Sequence, residues 1–188
     1  VTGLRKRAPV GLSGARPGDQ MILTKPIGTG TIMAGEMAML ARGPWGVAAL
    51  ASMARAQGDV AGVLAGAHAM TDVTGFGLAG HLNTIAKASG IGIELILADI
   101  PVLAGAVELA GLGVRSSIYA DNRALLPELE LPDDQKAALL FDPQTAGGLV
   151  AAGPGYEVAD ILSKLNDLGC DARVIGRCLE SPVGLRVL

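Results

Sequence analysis

The sequence predicts an α/β fold of the mixed α+β type, with helices packed on a mixed sheet of four to six strands. Three stretches carry that expectation. Residues 69–90 read as a short strand, a turn punctuated by Gly75 and Gly77, and a helix. That helix carries Leu78, Leu82, Ile85 and Ala86 on one stripe and is closed by Ser89-Gly90. Ile91-Gly92-Ile93-Glu94-Leu95-Ile96-Leu97 is rich in β-branched residues and reads as a strand. Tyr156 to Leu168 is an amphipathic helix, with Val158, Ile161, Leu162, Leu165 and Leu168 inside and Glu157, Asp160, Lys164 and Asp167 outside. Strands and helices do not alternate strictly, so the sheet is expected to be mixed.

A chain of 188 residues is long enough for one domain with a full core. Half of it is hydrophobic but only 3% is aromatic, so Ala, Val, Leu, Ile and Met must build that core. A net charge of −3 argues against a general nucleic-acid surface, which needs a basic stripe. Nucleotide binding stays open, because backbone N–H groups and a metal suffice for it. The apolar stretch from Ile32 to Leu64 is broken by Glu36, Arg42, Arg55 and Asp59, so no membrane span is expected. Cys170 and Cys178 are too few for a disulfide framework. On one extended segment they would stand roughly 26 Å apart. They read as buried free thiols in a reducing, cytoplasmic setting.

In chain order, residues 1–18 are rich in Gly, Pro and Arg and read as a linker or tail, with Arg5-Lys6-Arg7 a solvated charge run. The folded domain is expected over 19–188. Met21 to Thr24 is a buried strand ended by Lys25-Pro26. Lys25 reads either as a phosphate-neutralising cation or as an exposed lysine at a strand end, the second being preferred. Ile27 to Thr31 is a turn into a helix, with Thr29 or Thr31 as N-cap. A second helix starts at Gly43-Pro44 and runs to about Ala56, and a third runs from about Val60 to Ala67. His68 and His81 read as packing or capping residues. After the strand at 91–97, Leu103 to Ala110 is helical. Asn122, with Ser116 and Ser117, reads either as the lining of a polar pocket or as part of an ordinary loop leading to a helical turn at Arg123 to Leu126, the second being preferred. A helix is expected from Pro132-Asp133-Asp134 to about Leu140. Asp142 to Gly148 is a loop, where Gly147 and Gly148 let a backbone pack closely or let the loop face the Asp72 turn. Leu149 to Ala152, Asp171 to Leu179 and Val183 to Leu188 complete the strands.

The chemistry centres on Thr71-Asp72-Val73-Thr74-Gly75-Phe76-Gly77. A helix N-terminus with glycines before it offers unpaired N–H groups to a phosphate. Thr71, Thr74, Gly75 and Lys25 are therefore candidate nucleotide- or phosphate-binding residues. Asp72 beside them is a candidate Mg²⁺ ligand, since Mg²⁺ takes one or two carboxylates plus phosphate oxygens. The same pattern also fits a plain structural role, with Asp72 or Thr74 capping the helix and the glycines easing packing.

Three strings together resemble the selenophosphate synthetase (selenide, water dikinase) family in its C-terminal domain. They are Leu23-Thr24-Lys25-Pro26-Ile27-Gly28-Thr29-Gly30, the stretch Ala69 to Leu82, and Phe141-Asp142-Pro143-Gln144-Thr145-Ala146-Gly147-Gly148-Leu149. The resemblance spans about Asp19 to the C-terminus. Its fold is that of the aminoimidazole ribonucleotide synthetase-like superfamily, which also holds thiamine-monophosphate kinase and a hydrogenase-maturation protein. It implies a phosphotransferase that makes selenophosphate from ATP, selenide and water, releasing AMP and phosphate, with Mg²⁺ as cofactor and Asp72 as a metal ligand.

The family's reactive cysteine or selenocysteine, its lysine and most of its ATP site lie in an N-terminal domain without counterpart here. No catalytic residue is therefore expected in this chain, which is expected to be inactive alone. ATP and selenide would be reached through that missing domain. The whole protein is expected to be a homodimer, and this piece monomeric or weakly associated. A sister enzyme with another phosphoryl acceptor and a non-catalytic structural or regulatory module remain as alternatives.

Overall fold

The computed structural model describes residues 8–188. Arg5-Lys6-Arg7 lies outside the described residues. Six strands form one sheet in the order β2-β4-β1-β5-β3-β6. They are β1 (Gln20–Leu23), β2 (Ala69–Asp72), β3 (Gly92–Leu95), β4 (Leu149–Gly153), β5 (Arg173–Leu179) and β6 (Gly184–Val187). Every neighbouring pair is antiparallel except β3 and β6, which run parallel. The sheet is thus mixed, at the upper end of the expected strand count.

Strand alternation divides the core in two. On one face Met21, Leu23, Ala69, Val150, Ala152, Ile93, Leu95 and Ile175 pack under α1 (Thr29–Met37), α4 (Gly77–Ser89) and α5 (Ala106–Gly111). On the other, Ile22 and Ala151 meet Val60 and Leu64 beside α3 (Gly58–Val63) and Ile161 and Leu165 of α7 (Val158–Asp167). α7 therefore buries the stripe its periodicity predicts. Over β3, β5 and β6 this second face carries Glu94, which bridges Arg177 at 2.8 Å and also pairs with Arg186. The register places all three side by side. α2 (Gly43–Ala54) packs against α1 and ends two residues earlier than expected from the sequence.

Several expectations give way to tertiary contacts. The helix expected over 132–140 is a 3-10 segment, Gln135–Phe141, opened by Asp134 accepting the Lys136 N–H at 2.7 Å. The 3-10 form rises about 2.0 Å per residue and so carries seven residues further than an α-helix would, delivering Phe141 to the core. The stretch read as a loop before Arg123 contains α6 (Tyr119–Ala124). The third helix is α only over Gly58–Val63 and continues as a 3-10 turn, Leu64–Gly66. Residues 8–18 hold no regular element yet lie against the domain. Gly11 O accepts the Met70 N–H at 2.8 Å, and Ser89 Oγ accepts the N–H groups of Gly14 and Ala15 at 3.1 and 3.2 Å.

Both cysteines are free and buried. They do not share one extended strand: Cys170 precedes β5 and packs with the α7 side, while Cys178 packs in the main core. Burial raises both thiols, Cys178 to about 12.

Candidate functional site

Three loops meet at one end of the sheet: 24–28 after β1, 73–76 after β2, and 142–148 before β4. Each side of the meeting uses backbone groups that would otherwise be stranded at strand ends. Val73 N–H donates to Gly148 O at 2.8 Å and Gln144 N–H to Thr74 O at 3.0 Å. Thr24 N–H donates to Leu149 O at 3.0 Å, and Thr24 Oγ1 accepts from Leu149 N–H at 2.8 Å. The approach is close enough to need glycine. A Cβ on Gly148 would stand 2.6 Å from Lys25 N. The two roles read from the sequence for Gly147-Gly148, close packing and facing the Asp72 turn, are thus both realised.

The turn between β2 and α4 is held from below and open above. Gly77 has φ +70, a left-handed value that side chains rarely adopt, and a Cβ there would lie 2.7 Å from Leu140 O. Gly75 by contrast has nothing within 4 Å of that position. α4 starts without a side-chain cap, so neither Asp72 nor Thr74 caps it. Instead the Thr74 N–H donates to His81 Nε2, seven residues onward on α4, at 3.0 Å. That bond requires a neutral imidazole at Nε2, and burial lowers the His81 pKa against the opposing pull of Asp72. His81 is therefore the capping residue of the turn. His68 is the partner of buried Asp19, at 2.9 Å.

Asp72 ends the edge strand β2 and is exposed. Thr71 Oγ1 lies 3.4 Å from its carboxylate. Among the described residues no group of three or more His, Cys, Asp or Glu side chains gathers to hold a metal. Asp72 is exposed and Thr71, Thr74 and Gly75 are half-buried, next in the chain to Phe76, which is 60% exposed. Phe76 opens a groove of about 590 Å³ along α4, lined by Gly80, Thr84, Lys87, Leu125 and Leu126.

Lys25 does not stand exposed at a strand end, as the sequence reading preferred. It is 4% exposed, and its ammonium donates to Ser52 O at 2.7 Å, Arg55 O at 2.9 Å and Ala146 O at 2.9 Å. An ammonium has three N–H donors, so all are engaged. Ser52 and Arg55 are at the C-terminal end of α2, where a cation is favoured by the helix dipole. Burial and the Arg55 guanidinium lower the Lys25 pKa. Ala146 has φ 46 without being glycine, and its carbonyl is one of those Lys25 binds.

Three residues to which the sequence reading gave no specific role do most of the joining. Asn122, on α6 and 5% exposed, donates from Nδ2 to Gly75 O at 2.8 Å and to Phe141 O at 3.0 Å. Gln144 Oε1 accepts from Gly28 N–H, Thr29 N–H and Thr29 Oγ1 at 3.0, 3.2 and 3.1 Å. Its Nε2 donates to Asp142 O at 2.8 Å and Oδ2 at 3.1 Å. Asp142 is 1% exposed, its Oδ1 accepts from Thr31 Oγ1 at 2.9 Å, and burial raises its pKa to about 6. The signal in the sequence for the last two is a loop carrying three polar residues, Asp142, Gln144 and Thr145, between two apolar runs.

The chain matches the family model of the AIR synthase related protein C-terminal domain over residues 16–187. It is 35% identical over 174 residues to selenide, water dikinase 2 of Peptoclostridium acidaminophilum, which covers 89% of this chain and 50% of that protein. It is 34% identical over 187 residues to the selenide, water dikinase of Nitratidesulfovibrio vulgaris, covering 94% and 53%. The chain thus spans about half the length of the curated relatives it matches. Among solved structures it resembles the hydrogenase maturation protein HypE of E. coli, with TM-score 0.67, 25% identity and coverage of 95% of this chain and 49% of that one. The thiamine-monophosphate kinase of Stenotrophomonas maltophilia shares the fold, with TM-score 0.61, 16% identity and coverage of 95% and 52%. The chain belongs to the AIR synthase related protein C-terminal domain family.

Proposed function

We propose that this chain is the C-terminal domain, residues 19–188, of a selenophosphate synthetase that converts ATP, selenide and water to selenophosphate, AMP and phosphate. The observation that carries the reading is its 35% identity, over 89% of its length, to a selenide, water dikinase. Phosphoryl transfer depends on positioning and charge neutralisation more than on covalent chemistry. The Asp72–Gly75 turn is suited to that work. It offers one exposed carboxylate, an open glycine and the N-terminal end of α4 within six residues of chain.

Asp72, a lone exposed carboxylate, would hold Mg²⁺ as a single ligand, with phosphate oxygens and water supplying the rest. One carboxylate is a weak site, so the remaining ligands and the ATP pocket belong to other parts of the protein. When bound, Mg²⁺ would neutralise the phosphate charge that builds up during transfer. Thr71, Thr74 and Gly75 line the phosphate side. Lys25 serves the reading indirectly, by holding the loop at Ala146, because its donors are already engaged. The isolated chain is inactive and monomeric or weakly associated. The whole protein is a cytoplasmic homodimer without nucleic-acid or membrane partners, and no described helix is long and apolar enough to cross a membrane.

Product identity tests the proposal. The whole protein is incubated with Mg-ATP, with and without selenide, and the nucleotides are separated by anion-exchange chromatography. Selenide-dependent AMP supports it. The absence of selenide-dependent AMP from folded protein would replace it with a sister enzyme acting on another phosphoryl acceptor.

A further inference from the structure

The first N–H groups of a helix are the ordinary landing place for an anion. On α1 that place is taken by two side chains from a distant loop. Gln144 Oε1 holds the Gly28 and Thr29 N–H groups, and the Asp142 carboxylate accepts from the Thr31 hydroxyl against the first turn of the helix. The two side chains also fix each other, since the Gln144 amide donates to Asp142 Oδ2. That contact sets which way the amide faces, so its oxygen is aimed at α1. The contact is tight as well: a Cβ on Gly30 would stand 2.7 Å from Asp142 Oδ1. Of the charged groups on neighbouring elements, Lys25 binds Ala146 O and Arg123 lies over the Phe141 ring at 5.1 Å. Neither hydrogen-bonds to the Asp142 carboxylate.

The loop that caps α1 is also the loop that grips the Asp72 turn. Gln144 N–H holds Thr74 O, and Gly148 O holds Val73 N–H. We propose that Asp142 and Gln144 are positioning residues that join the start of α1 to the turn carrying Asp72, Thr74 and Gly75, so that the two move as one body. The functional part of this inference rests on the reading that phosphate binds at the turn.

Asp142→Asn is close to isosteric but keeps one acceptor oxygen where the carboxylate has two, so it cannot accept from both the Gln144 NH₂ and the Thr31 hydroxyl, and one of these links is lost. Amide hydrogen exchange on the 188-residue chain reads the consequence. The amides of Gly28 to Thr31 and those of Val73 to Gly75 are expected to speed up together, each about tenfold or more, while β1 and β4 amides keep their rates. Loosening at Gly28 to Thr31 alone, or no change at either segment, would overturn the inference. If Asp142→Asn does not fold, Thr31→Val, which removes only a hydroxyl, is read by the same criterion.

In the whole protein the KM for Mg-ATP is expected to rise about tenfold while kcat stays within about threefold. An unchanged KM alongside coupled exchange would refute phosphate binding at the turn and leave the coupling standing.

Discussion

Replacing Asp142 by Asn tests whether that carboxyl is held against its own charge. Asn does not titrate, so the stability difference between variant and wild type isolates this one group. Folded, the carboxyl has a pKa of about 6, against an ordinary 3.8, because burial outweighs the hydrogen bonds from Thr31, Gln144 and Gly30. Its folded form thus binds a proton more readily than its unfolded form, and protonation favours the fold. The contribution is fully present below about pH 3.8 and is lost as pH rises through about 6. At about 1.36 kcal/mol per pH unit the gap is about 3 kcal/mol, of which about 2 kcal/mol falls between pH 4.5 and 7. The variant carries a constant penalty from the lost link. Relative to wild type it should nevertheless gain about 2 kcal/mol over that interval and level off above it. Urea unfolding of both proteins at half-unit pH steps measures the difference. A difference independent of pH would show a carboxyl that is not shifted. A difference of opposite slope would show one stabilised as the anion, and either result refutes the reasoning.

Other perturbations separate structural from exposed positions. Lys25→Met leaves three carbonyls without their cation and should cost about 3 kcal/mol in thermal or urea unfolding; a loss under about 0.5 kcal/mol would mean that water replaces the ammonium. Gly77→Ala forces a left-handed backbone and a contact under 3 Å, and should cost about 2 kcal/mol or more. Gly75→Ala meets open space and should stay within about 1 kcal/mol of wild type; equal effects from the two would contradict the geometry of the turn. Neither Cys170 nor Cys178 should react with a thiol reagent until the chain is unfolded by denaturant, since both are buried with raised pKa values. Fast labelling of either in the native chain would count against their packing.

The elements legible in the sequence are those whose cause is local. α7 and the β2–turn–α4 unit follow from periodicity and glycine placement, and both stand where the pattern puts them. Asn122 was not legible because its partners, Gly75 O and Phe141 O, are backbone groups 47 and 19 residues away that carry no side-chain signature. Lys25 looked like a surface lysine because the helix end that receives it is about 30 residues downstream. The caps of α1 are the same kind of case. Thr29 and Thr31 have the right chemistry for N-caps, yet their hydroxyls donate to Gln144 and Asp142, and those two residues do the capping. The 3-10 segment Gln135–Phe141 was read as a helix from its acidic start, and the demands of reaching the core decided its form. Asp72 stands at the end of its strand, as its position in the motif predicts, and the structure adds that it is exposed.

The measurement that bears most directly on the account is ³¹P NMR of the whole protein with Mg-ATP and selenide, comparing wild type with Asp72→Ala. The account predicts a selenide-dependent selenophosphate resonance that appears with AMP in wild type and is lost in the variant, with the variant's unfolding midpoint unchanged because Asp72 is exposed. A resonance that persists in Asp72→Ala would remove Asp72 from the metal site. No selenophosphate from folded wild-type protein would contradict the proposed function itself.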